Sequence, residues 1–262
     1  MGVISFAVVG HDGRQQAAGV YLQEKGYQVY SADEVHLADY ILLPMPLSSD
    51  NISLAQLLKA AKPGAIAFAG KVSSEAKNVA ADAQIEIVDY LEREELAVLN
   101  AIPTAEGALE ILLRECRHTL WGNRVLVLGY GRIGKLLCKN LVGIGAVVTV
   151  AARTAEARAM AQGFGCGAID FLALNQLSDY PAVVNTVPKM VLGARQLVSL
   201  PKGAFVLDLA SDPGGVDFKA AEMLHIKTQH ALSLPARCAP QTAGGFVAQT
   251  VLQILSERGL PI

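Results

Sequence analysis

The chain has 262 residues, of which 52% are hydrophobic and 18% charged, and its formal net charge is −2. This size and composition provide for two modest domains with sizeable cores, and the small net charge gives no electrostatic reason to expect nucleic-acid binding. No apolar run reaches the length of a membrane span, and the N-terminus begins as a strand without a basic leader, so we expect neither a membrane anchor nor a signal peptide.

The first hundred residues alternate between strand and helix patterns. We predict strands at Ile4–Val9, Gln28–Tyr30, Tyr40–Leu43, Ala65–Ala69 and Ile85–Val88, with helices at Gln15–Lys25, Ser53–Ala61 and Ser74–Ala83 between them. This alternation predicts a parallel sheet that is covered by helices on both faces. The first strand-to-helix turn contains His11, Asp12 and Arg14 and has no G-x-G-x-x-G pattern.

A connecting segment follows at Ile102–Gly107. Pro103 suits the first turn of a helix, and Thr104 with Glu106 has the composition of a helix cap, so we predict that a new helix, Ala108–Cys116, starts here and joins two domains. The predicted first domain comprises residues 1–118 together with a C-terminal helix at residues 241–262, and the predicted second domain comprises residues 119–240.

The most informative pattern lies at the start of the second domain. An apolar run, Val125–Leu128, is followed directly by the G-x-G-x-x-G sequence Gly129-Tyr130-Gly131-Arg132-Ile133-Gly134 and then by a helix pattern, Lys135–Ile144. In this context the first glycine permits a tight turn, the second lets a pyrophosphate approach the backbone, and the third lets the helix pack closely on the strand. The pattern predicts dinucleotide binding at a helix N-terminus.

The next strand indicates which dinucleotide is bound. NAD-specific folds place an acidic residue at the end of this strand to bind the ribose hydroxyl, but here Ala151 and Ala152 precede Arg153 and Thr154. A guanidinium binds a 2′-phosphate that a carboxylate would repel, so we predict NADP. Arg158, one turn later, is either a second contact or an exposed helix charge.

The remaining patterns complete the fold class. Strands are predicted at Val147–Ala151, Ala182–Val184, Phe205–Leu209 and Ile226–Gln229, and a final helix at Ala243–Arg258. We therefore predict an α/β protein with two Rossmann-like, doubly wound parallel-sheet domains and a cleft between them. Ligands of such sheets bind at the carboxyl ends of strands, which here include Pro44–Pro46, Gly70–Ser73, Asn185-Thr186-Val187-Pro188 and Asp208–Ser211.

The four cysteines are Cys116, Cys138, Cys166 and Cys238, and none of them forms a C-x-x-C pair. They indicate reduced thiols in a cytoplasmic protein. No His, Cys and Asp cluster has the spacing of metal ligands, so we expect no metal site.

Several motifs occur together in one order along the chain. They are Gly10-x-Asp12-x-Arg14-Gln15, Pro103-Thr104-x-Glu106-Gly107, the glycine turn with Arg153, Asn185-Thr186-Val187-Pro188, Asp208-Leu209-Ala210-Ser211-x-Pro213-Gly214-Gly215-x-Asp217-Phe218 and Ala239-Pro240-x-Thr242-Ala243-Gly244. From end to end the chain resembles the A-subunit family of dipicolinate synthase. It departs from the family pattern at His11 and at Ser233–Arg237, which affects the expected substrate pocket more than the expected activity.

The resemblance implies an NADP-dependent dehydrogenase that oxidises a dihydrodipicolinate-type precursor to dipicolinate during sporulation, in the cytoplasm of the mother cell. It also implies that the partner is a flavoprotein-like B-subunit, and we expect a homodimer. Two substrate carboxylates require cations, for which Arg14 is the first candidate and Lys71 and Arg237 are others. The catalytic candidates are His11, Asp12, Arg14, Ser73, Thr104 and Glu106, among which the sequence singles out no base. The cofactor candidates are Gly129, Tyr130, Gly131, Arg132, Ile133, Gly134, Arg153, Thr154, Asn185, Thr186, Val187, Pro188, Asp208 and Ala210.

Two alternatives remain. A 2-hydroxyacid dehydrogenase has a similar plan but needs an Arg for the substrate carboxylate and a His as base, whereas Gln241 stands where its His is expected and His225 and His230 lie at other turns. A cofactor-binding component without catalytic activity of its own is the other alternative.

Overall fold

The computed structural model of the chain describes residues 3–45, 47 and 53–262. The strands are β1 Ser5–Val8, β2 Gln28–Tyr30, β3 Tyr40–Leu42, β4 Ile66–Ala69, β5 Glu86–Asp89, β6 Arg124–Leu128, β7 Val147–Ala151, β8 Gly167–Ile169, β9 Ala182–Asn185, β10 Phe205–Asp208 and β11 Lys227–His230. The α-helices are α1 Gly13–Glu24, α2 Leu54–Ala60, α3 Ser74–Asp82, α4 Glu94–Glu115, α5 Arg132–Gly143, α6 Ala155–Gly163, α7 Ala194–Leu197, α8 Phe218–Met223, α9 Leu234–Cys238 and α10 Pro240–Glu257.

The chain folds into two compact units. The first unit comprises Met1–Asn100 and Ala239–Ile262, and the second comprises Ala101–Cys238. The division falls inside α4, whereas the predicted boundary lies at residue 118, just beyond the end of the same helix.

The first unit contains a five-stranded parallel sheet in the order β2-β1-β3-β4-β5. Its strands bury side chains on both faces: Phe6 belongs to one core cluster and Ala7 to the other. Helix α10 packs on α1, where a Cβ atom on Gly244 would collide with the backbone oxygen of Arg14. The strand order reverses between β1 and β3, which is where doubly wound sheets form a crevice for ligands.

The second unit contains a six-stranded parallel sheet in the order β11-β10-β9-β6-β7-β8. If the strands are numbered within this unit, with β6 as the first, the order is 6-5-4-1-2-3. Read from the other edge of the sheet, this is the order 3-2-1-4-5-6 of dinucleotide-binding folds. The apolar run of β6 serves both faces, since Val125 and Val127 pack in one core cluster and Leu126 and Leu128 in the other. A parallel strand that is covered on both sides needs this continuous apolar sequence.

Helix α4 is longer than the predicted helix Ala108–Cys116, which Pro103 and the residues after it were expected to introduce. The helix begins at Glu94 and continues through Pro103 to Glu115. The proline ring removes the one N–H that would donate to the carbonyl of Leu99. Ala105, Ala108 and Leu112 are fully buried in the core of the second unit, and this packing keeps the helix intact across the proline.

By length and composition, α4 is long and apolar enough to cross a membrane. Core helices of soluble domains meet the same criteria, and 44% of this stretch is buried inside the protein. The absence of a membrane anchor stays a prediction.

Candidate functional site

A cavity of about 630 Å³ lies at the carboxyl edge of the second sheet, and all its lining residues belong to the second unit. It opens beside the point where the strand order reverses, between β6 and β9. Its size falls within the range of ligand-binding pockets, about 300–1,000 Å³. The lining includes Thr104, Gly129–Ile133, Ala152–Thr154, Ala157, Phe171, Thr186–Pro188, Leu209–Ser211 and Ala231–Pro235.

In the glycine turn after β6, each of the three glycines has its own structural reason. Gly129 adopts a φ of +94°, in the left-handed region that favours glycine. A Cβ atom on Gly134 would collide with the carbonyl oxygen of Gly129, so only glycine allows α5 to pack this closely on the turn. A Cβ atom on Gly131 would meet nothing within 4 Å, which leaves open space against the backbone at this point.

Helix α5 begins at this turn without a side-chain cap. Its N-cap residue is Gly131, which has no side chain that could accept a hydrogen bond from the first turn. The first backbone N–H groups of a helix have no partners inside the helix, and its dipole favours negative charge at this end. The turn therefore offers an anion the donors that a pyrophosphate requires.

Arg153 and Thr154 line the same cavity after β7. The guanidinium of Arg153 is exposed and makes no hydrogen bond or ion pair within the described part of the chain. Thr154 caps α6, its hydroxyl accepting a hydrogen bond from the N–H of Ala157 at 3.2 Å. An unpaired cation therefore stands where an NAD-specific fold carries a carboxylate.

Arg158 is more than an exposed helix charge, because it holds neighbouring backbone in place. Its Nη1 donates to the carbonyl oxygens of Ala152 at 2.7 Å and Arg153 at 3.0 Å, and to Oδ2 of Asp170 at 2.6 Å. The side chain fixes the backbone that presents Arg153.

Asn185 and Asp208 lie behind the cavity and do not line it. Both side chains are completely buried. The amide Nδ2 of Asn185 donates to Asp208 Oδ1 at 2.8 Å and to the carbonyl of Val187 at 3.0 Å. Asp208 also accepts from the backbone N–H groups of Ala210 at 3.0 Å and Gly215 at 2.7 Å. The pair therefore holds in place two loops that line the cavity.

Of the other predicted cofactor residues after β6 and β9, Gly129–Ile133 and Thr186–Pro188 line the cavity, whereas Gly134 does not and instead lets α5 pack on the turn. The hydroxyl of Thr186 donates to the carbonyl of Leu128 at 2.8 Å, so this side chain ties the two strand ends together. Burial raises the pKa of the Tyr130 phenol, which keeps it protonated near neutral pH. Val187 and Pro188 lie on the β9 side, and Ala210 follows β10.

In the first unit, Asp12 and Arg14 form an ion pair at the reversal point between β1 and β3. Arg14 Nε and Nη2 donate to the two oxygens of Asp12 at 2.9 and 2.8 Å, and Nη2 also donates to the carbonyl of Met45 at 2.7 Å. The pKa of Asp12 lies below its usual range, and the largest cause is the hydrogen bond from the Arg14 side chain. We predicted that the guanidinium of Arg14 holds a substrate carboxylate, but its Nε and Nη2 are bound to Asp12. Among its nitrogen atoms, only Nη1 has no hydrogen bond within the described residues.

The remaining first-unit candidates are not part of this ion pair. His11 is exposed beside it, and Pro46 lies outside the described residues. Ser73 caps α3, accepting from the N–H of Ala76 at 3.1 Å. Lys71 has a φ of +61°, and Asp89 holds its loop by accepting from the N–H groups of Lys71 at 3.2 Å and Val72 at 2.7 Å. The Lys71 ammonium has no partner within the described residues.

Among the second-unit candidates, Thr104 contributes to the cavity and Glu106 does not. Both lie in the middle of α4 rather than at a cap. Arg237 is exposed on the short helix α9. Within the described residues, no three His, Cys, Asp or Glu side chains lie close enough to hold a metal ion, and the expected absence of a metal stays a prediction.

Part of the lining consists of residues that were not predicted from the sequence. Phe171 follows β8, a strand of three residues that was not predicted, and Ala231–Pro235 follows β11. Since the cavity follows the carboxyl ends of neighbouring strands, the same rule that selected Ala210 also points to Ala231.

No family model matches the chain. A curated relative, the dipicolinate synthase A-subunit of Bacillus subtilis (strain 168), is 35% identical over 193 residues, an alignment that covers 73% of this chain. The alignment spans 65% of that relative, just under two thirds of its length.

Two solved structures are similar over almost the whole chain. The crystal structure of the dipicolinate synthase A-subunit from Bacillus halodurans superposes with a TM-score of 0.86 at 27% identity and covers 97% of this chain and 99% of that one. The crystal structure of its counterpart from Bacillus subtilis superposes with a TM-score of 0.85 at 30% identity and covers 98% of this chain and 97% of that one.

Proposed function

Because the chain belongs to the A-subunit family of dipicolinate synthase, we propose that it is an NADP-dependent dehydrogenase that oxidises a dihydrodipicolinate-type precursor to pyridine-2,6-dicarboxylate. The observation that carries this proposal is the cavity at the carboxyl edge of the second sheet, where an open glycine turn, an uncapped helix and an unpaired arginine line one space.

The lining residues fit the parts of a dinucleotide. The turn Gly129–Gly134 and the N-terminus of α5 receive the pyrophosphate, because Gly131 leaves space for it and the helix supplies N–H donors. Thr186–Pro188 and Ala210 lie along the part of the cavity that we assign to the nicotinamide ribose. Asn185 and Asp208 position these two segments rather than touch the cofactor.

Arg153 supports NADP rather than NAD. Its guanidinium lines the cavity without an acidic partner among the described residues, and the strand end before it carries Ala151 and Ala152. A 2′-phosphate accepts paired hydrogen bonds from such a guanidinium. Arg158 fixes the backbone carbonyls of Ala152 and Arg153 and thereby maintains this arrangement.

The substrate is a small cyclic dicarboxylate, for which the first unit supplies cations at the carboxyl edge of its sheet. Arg14 offers Nη1 and Lys71 offers its ammonium. The bound nicotinamide supplies an acceptor for the hydride that leaves the ring. The accompanying proton goes to a base or to water, and the gain of aromaticity drives the step, so that the protein mainly positions the reactants.

Asp12 suits an orienting role better than that of a base. The hydrogen bond from Arg14 keeps its carboxylate ionised and occupied, which lowers its affinity for a proton. His11, Ser73, Thr104 and Glu106 remain candidates for contact with the substrate. The proposal further includes a flavoprotein-like B-subunit, with which the chain would act, a homodimer and a cytoplasmic location in the mother cell.

The test is an assay of the isolated chain with NADP⁺, in which freshly prepared dihydrodipicolinate precursor or a panel of 2-hydroxy acids is added and the absorbance of reduced nicotinamide is followed. Reduction with the precursor alone supports the proposal. Reduction with a 2-hydroxy acid supports the rival dehydrogenase. Turnover that requires the B-subunit means that this chain presents the cofactor and that catalysis is shared.

A further inference from the structure

A second cavity, of about 170 Å³, lies at the opposite edge of the second sheet from the candidate dinucleotide site. Its floor is formed at the amino ends of three adjacent strands, β6, β9 and β10, by Val125, Ala182 and Phe205. The same three strands lead at their carboxyl ends to the first cavity. With four or five residues per strand, the two cavities are separated by roughly 15 Å of sheet.

The rim of this amino-edge cavity is positively charged. Arg117, Arg124 and Lys202 line it together with His118, and none of the lining residues is acidic. Arg117 and Lys202 make no ion pair within the described residues. Arg124 has one loose partner, Asp179 at 3.7 Å, and both side chains are more than half exposed, so the pair neutralises little of its charge.

The acidic residue nearest in sequence does not offset this charge. Glu115 is bound to Lys227 at 2.6 Å and to Arg114 at 2.9 Å. Its carboxylate is therefore shared between two cations outside the cavity. In a chain whose net charge is −2, a concave site lined by two unpaired cations and one loosely paired cation favours an anionic ligand.

The floor and the volume determine the kind of anion. The floor side chains are apolar and at most 2% exposed. A cavity of about 150 Å³ takes one benzene ring, so this one accepts a single ring or a short aliphatic body and is too small for a nucleotide. Burial raises the pKa of the Cys116 thiol at the wall, so the site holds no activated nucleophile of this kind.

We propose that the amino-edge cavity is a binding site for a small organic carboxylate, whose apolar body rests on Val125, Ala182 and Phe205 and whose carboxylate is held by Arg117, Arg124 and Lys202. The site does not depend on the function proposed for the carboxyl edge, because it shares no lining residue with that cavity. Carboxylates of this size include the proposed product, so the site can bind product without competing with NADP.

The test is calorimetric titration of the full chain at constant ionic strength with benzoate, pyridine-2,6-dicarboxylate, inorganic phosphate and neutral benzamide. Binding of at least one ring carboxylate is expected, at least about tenfold tighter than phosphate or benzamide. The only tryptophan, Trp121, follows the lining residue Leu120, so a change in its fluorescence on binding would place the ligand near this cavity.

Lys202→Gln and Arg117→Gln should each weaken this binding at least about fivefold, because each removes one cation from the site. Lys219→Gln removes an exposed lysine elsewhere in the same unit and should leave the binding unchanged. Saturating NADP⁺ should also leave it unchanged. Absence of ring-carboxylate binding, equal binding of phosphate, or binding that both cavity variants retain would each overturn the proposal. A failure of NADP⁺ binding would affect only the function proposed for the other edge.

Discussion

Asn185 Nδ2 donates a hydrogen bond of 2.8 Å to Asp208 Oδ1, and both side chains are fully buried at the ends of adjacent strands. Through this bond, the loop after β9 and the loop after β10 are held by one polar pair. Every further bond that the pair makes is to the backbone of those loops, at Val187, Ala210 and Gly215. The pair therefore determines the shape of one side of the cavity.

Removing this pair should weaken cofactor binding by displacing the loops. Asn185→Ala leaves the carboxylate of Asp208 with one donor fewer in a buried site, which should cost about 2 kcal/mol in the free energy of unfolding. NADP⁺ affinity should fall in parallel, although neither side chain lines the cavity. Denaturant unfolding and calorimetric titration measure the two effects. Glu222→Gln, which changes an exposed carboxylate of the same unit, is the control and should change neither quantity.

The three glycines near α5 provide a matched set of variants. Gly131→Ala adds a methyl group where nothing lies within 4 Å, so stability should change by less than about 0.5 kcal/mol while dinucleotide affinity falls by at least about tenfold. Gly134→Ala should destabilise the protein by about 2 kcal/mol, because its Cβ meets the backbone of Gly129. Gly143→Ala, at the far end of the same helix, meets nothing and should leave binding unchanged. A Gly131→Ala variant that binds NADP⁺ like the parent would show that the pyrophosphate does not occupy this turn.

Arg153→Asp should weaken NADP⁺ binding by about 100-fold and NAD⁺ binding by much less. The substitution replaces a cation with a carboxylate that repels the 2′-phosphate and that hydrogen-bonds a ribose hydroxyl. Lys139→Asp makes the same change in net charge on the exposed side of α5 and controls for long-range electrostatics. If the parent and the Arg153 variant bind both cofactors alike, Arg153 does not contact the cofactor.

The ion pair between Arg93 and Glu257 should make the stability of the protein depend on pH. Arg93 donates to both oxygens of Glu257 at 2.6 and 2.8 Å, which lowers the pKa of that carboxyl to about 2. A lowered pKa stabilises the fold above the ordinary pKa of about 4.5, and this contribution disappears as the pH falls from there towards 2. Glu257→Gln should therefore lower the unfolding midpoint at pH 7, and this effect should shrink as the pH falls and vanish only below about pH 2. Glu24→Gln is the control, and a difference for Glu257→Gln that stays constant across this range would contradict the assignment.

The sequence predicts those parts of the fold that depend on local patterns. The apolar run of β6 followed by three spaced glycines specifies a buried strand, a tight turn and a helix, and the structure has all three there. The start of helix α4 was predicted wrongly, because Pro103 has the local sequence signature of a helix start. The burial of Ala105 and Leu112 instead keeps the helix continuous through this proline. Strand β8 has the sequence Gly167-Ala168-Ile169, and glycine and alanine are depleted in strands, so the sequence carries little strand signal there.

The polar residues of the site required three-dimensional information. Asn185 and Asp208 are 23 positions apart, and only the pairing of β9 with β10 shows that each satisfies the other. Asp12 and Arg14 are neighbours in sequence, yet the sequence cannot show that the guanidinium is bound to Asp12 and to Met45. In both cases strand ends bring the partners together, which no linear pattern records.

The most direct test of the central claim is a calorimetric titration of the isolated chain with NADP⁺ and with NAD⁺ under identical conditions. We predict saturable binding of NADP⁺ that is at least about tenfold tighter than that of NAD⁺, a difference of about 1.4 kcal/mol, because Arg153 contacts the 2′-phosphate. Equal affinities, tighter binding of NAD⁺, or no binding of either cofactor would contradict the account of the cavity as an NADP site.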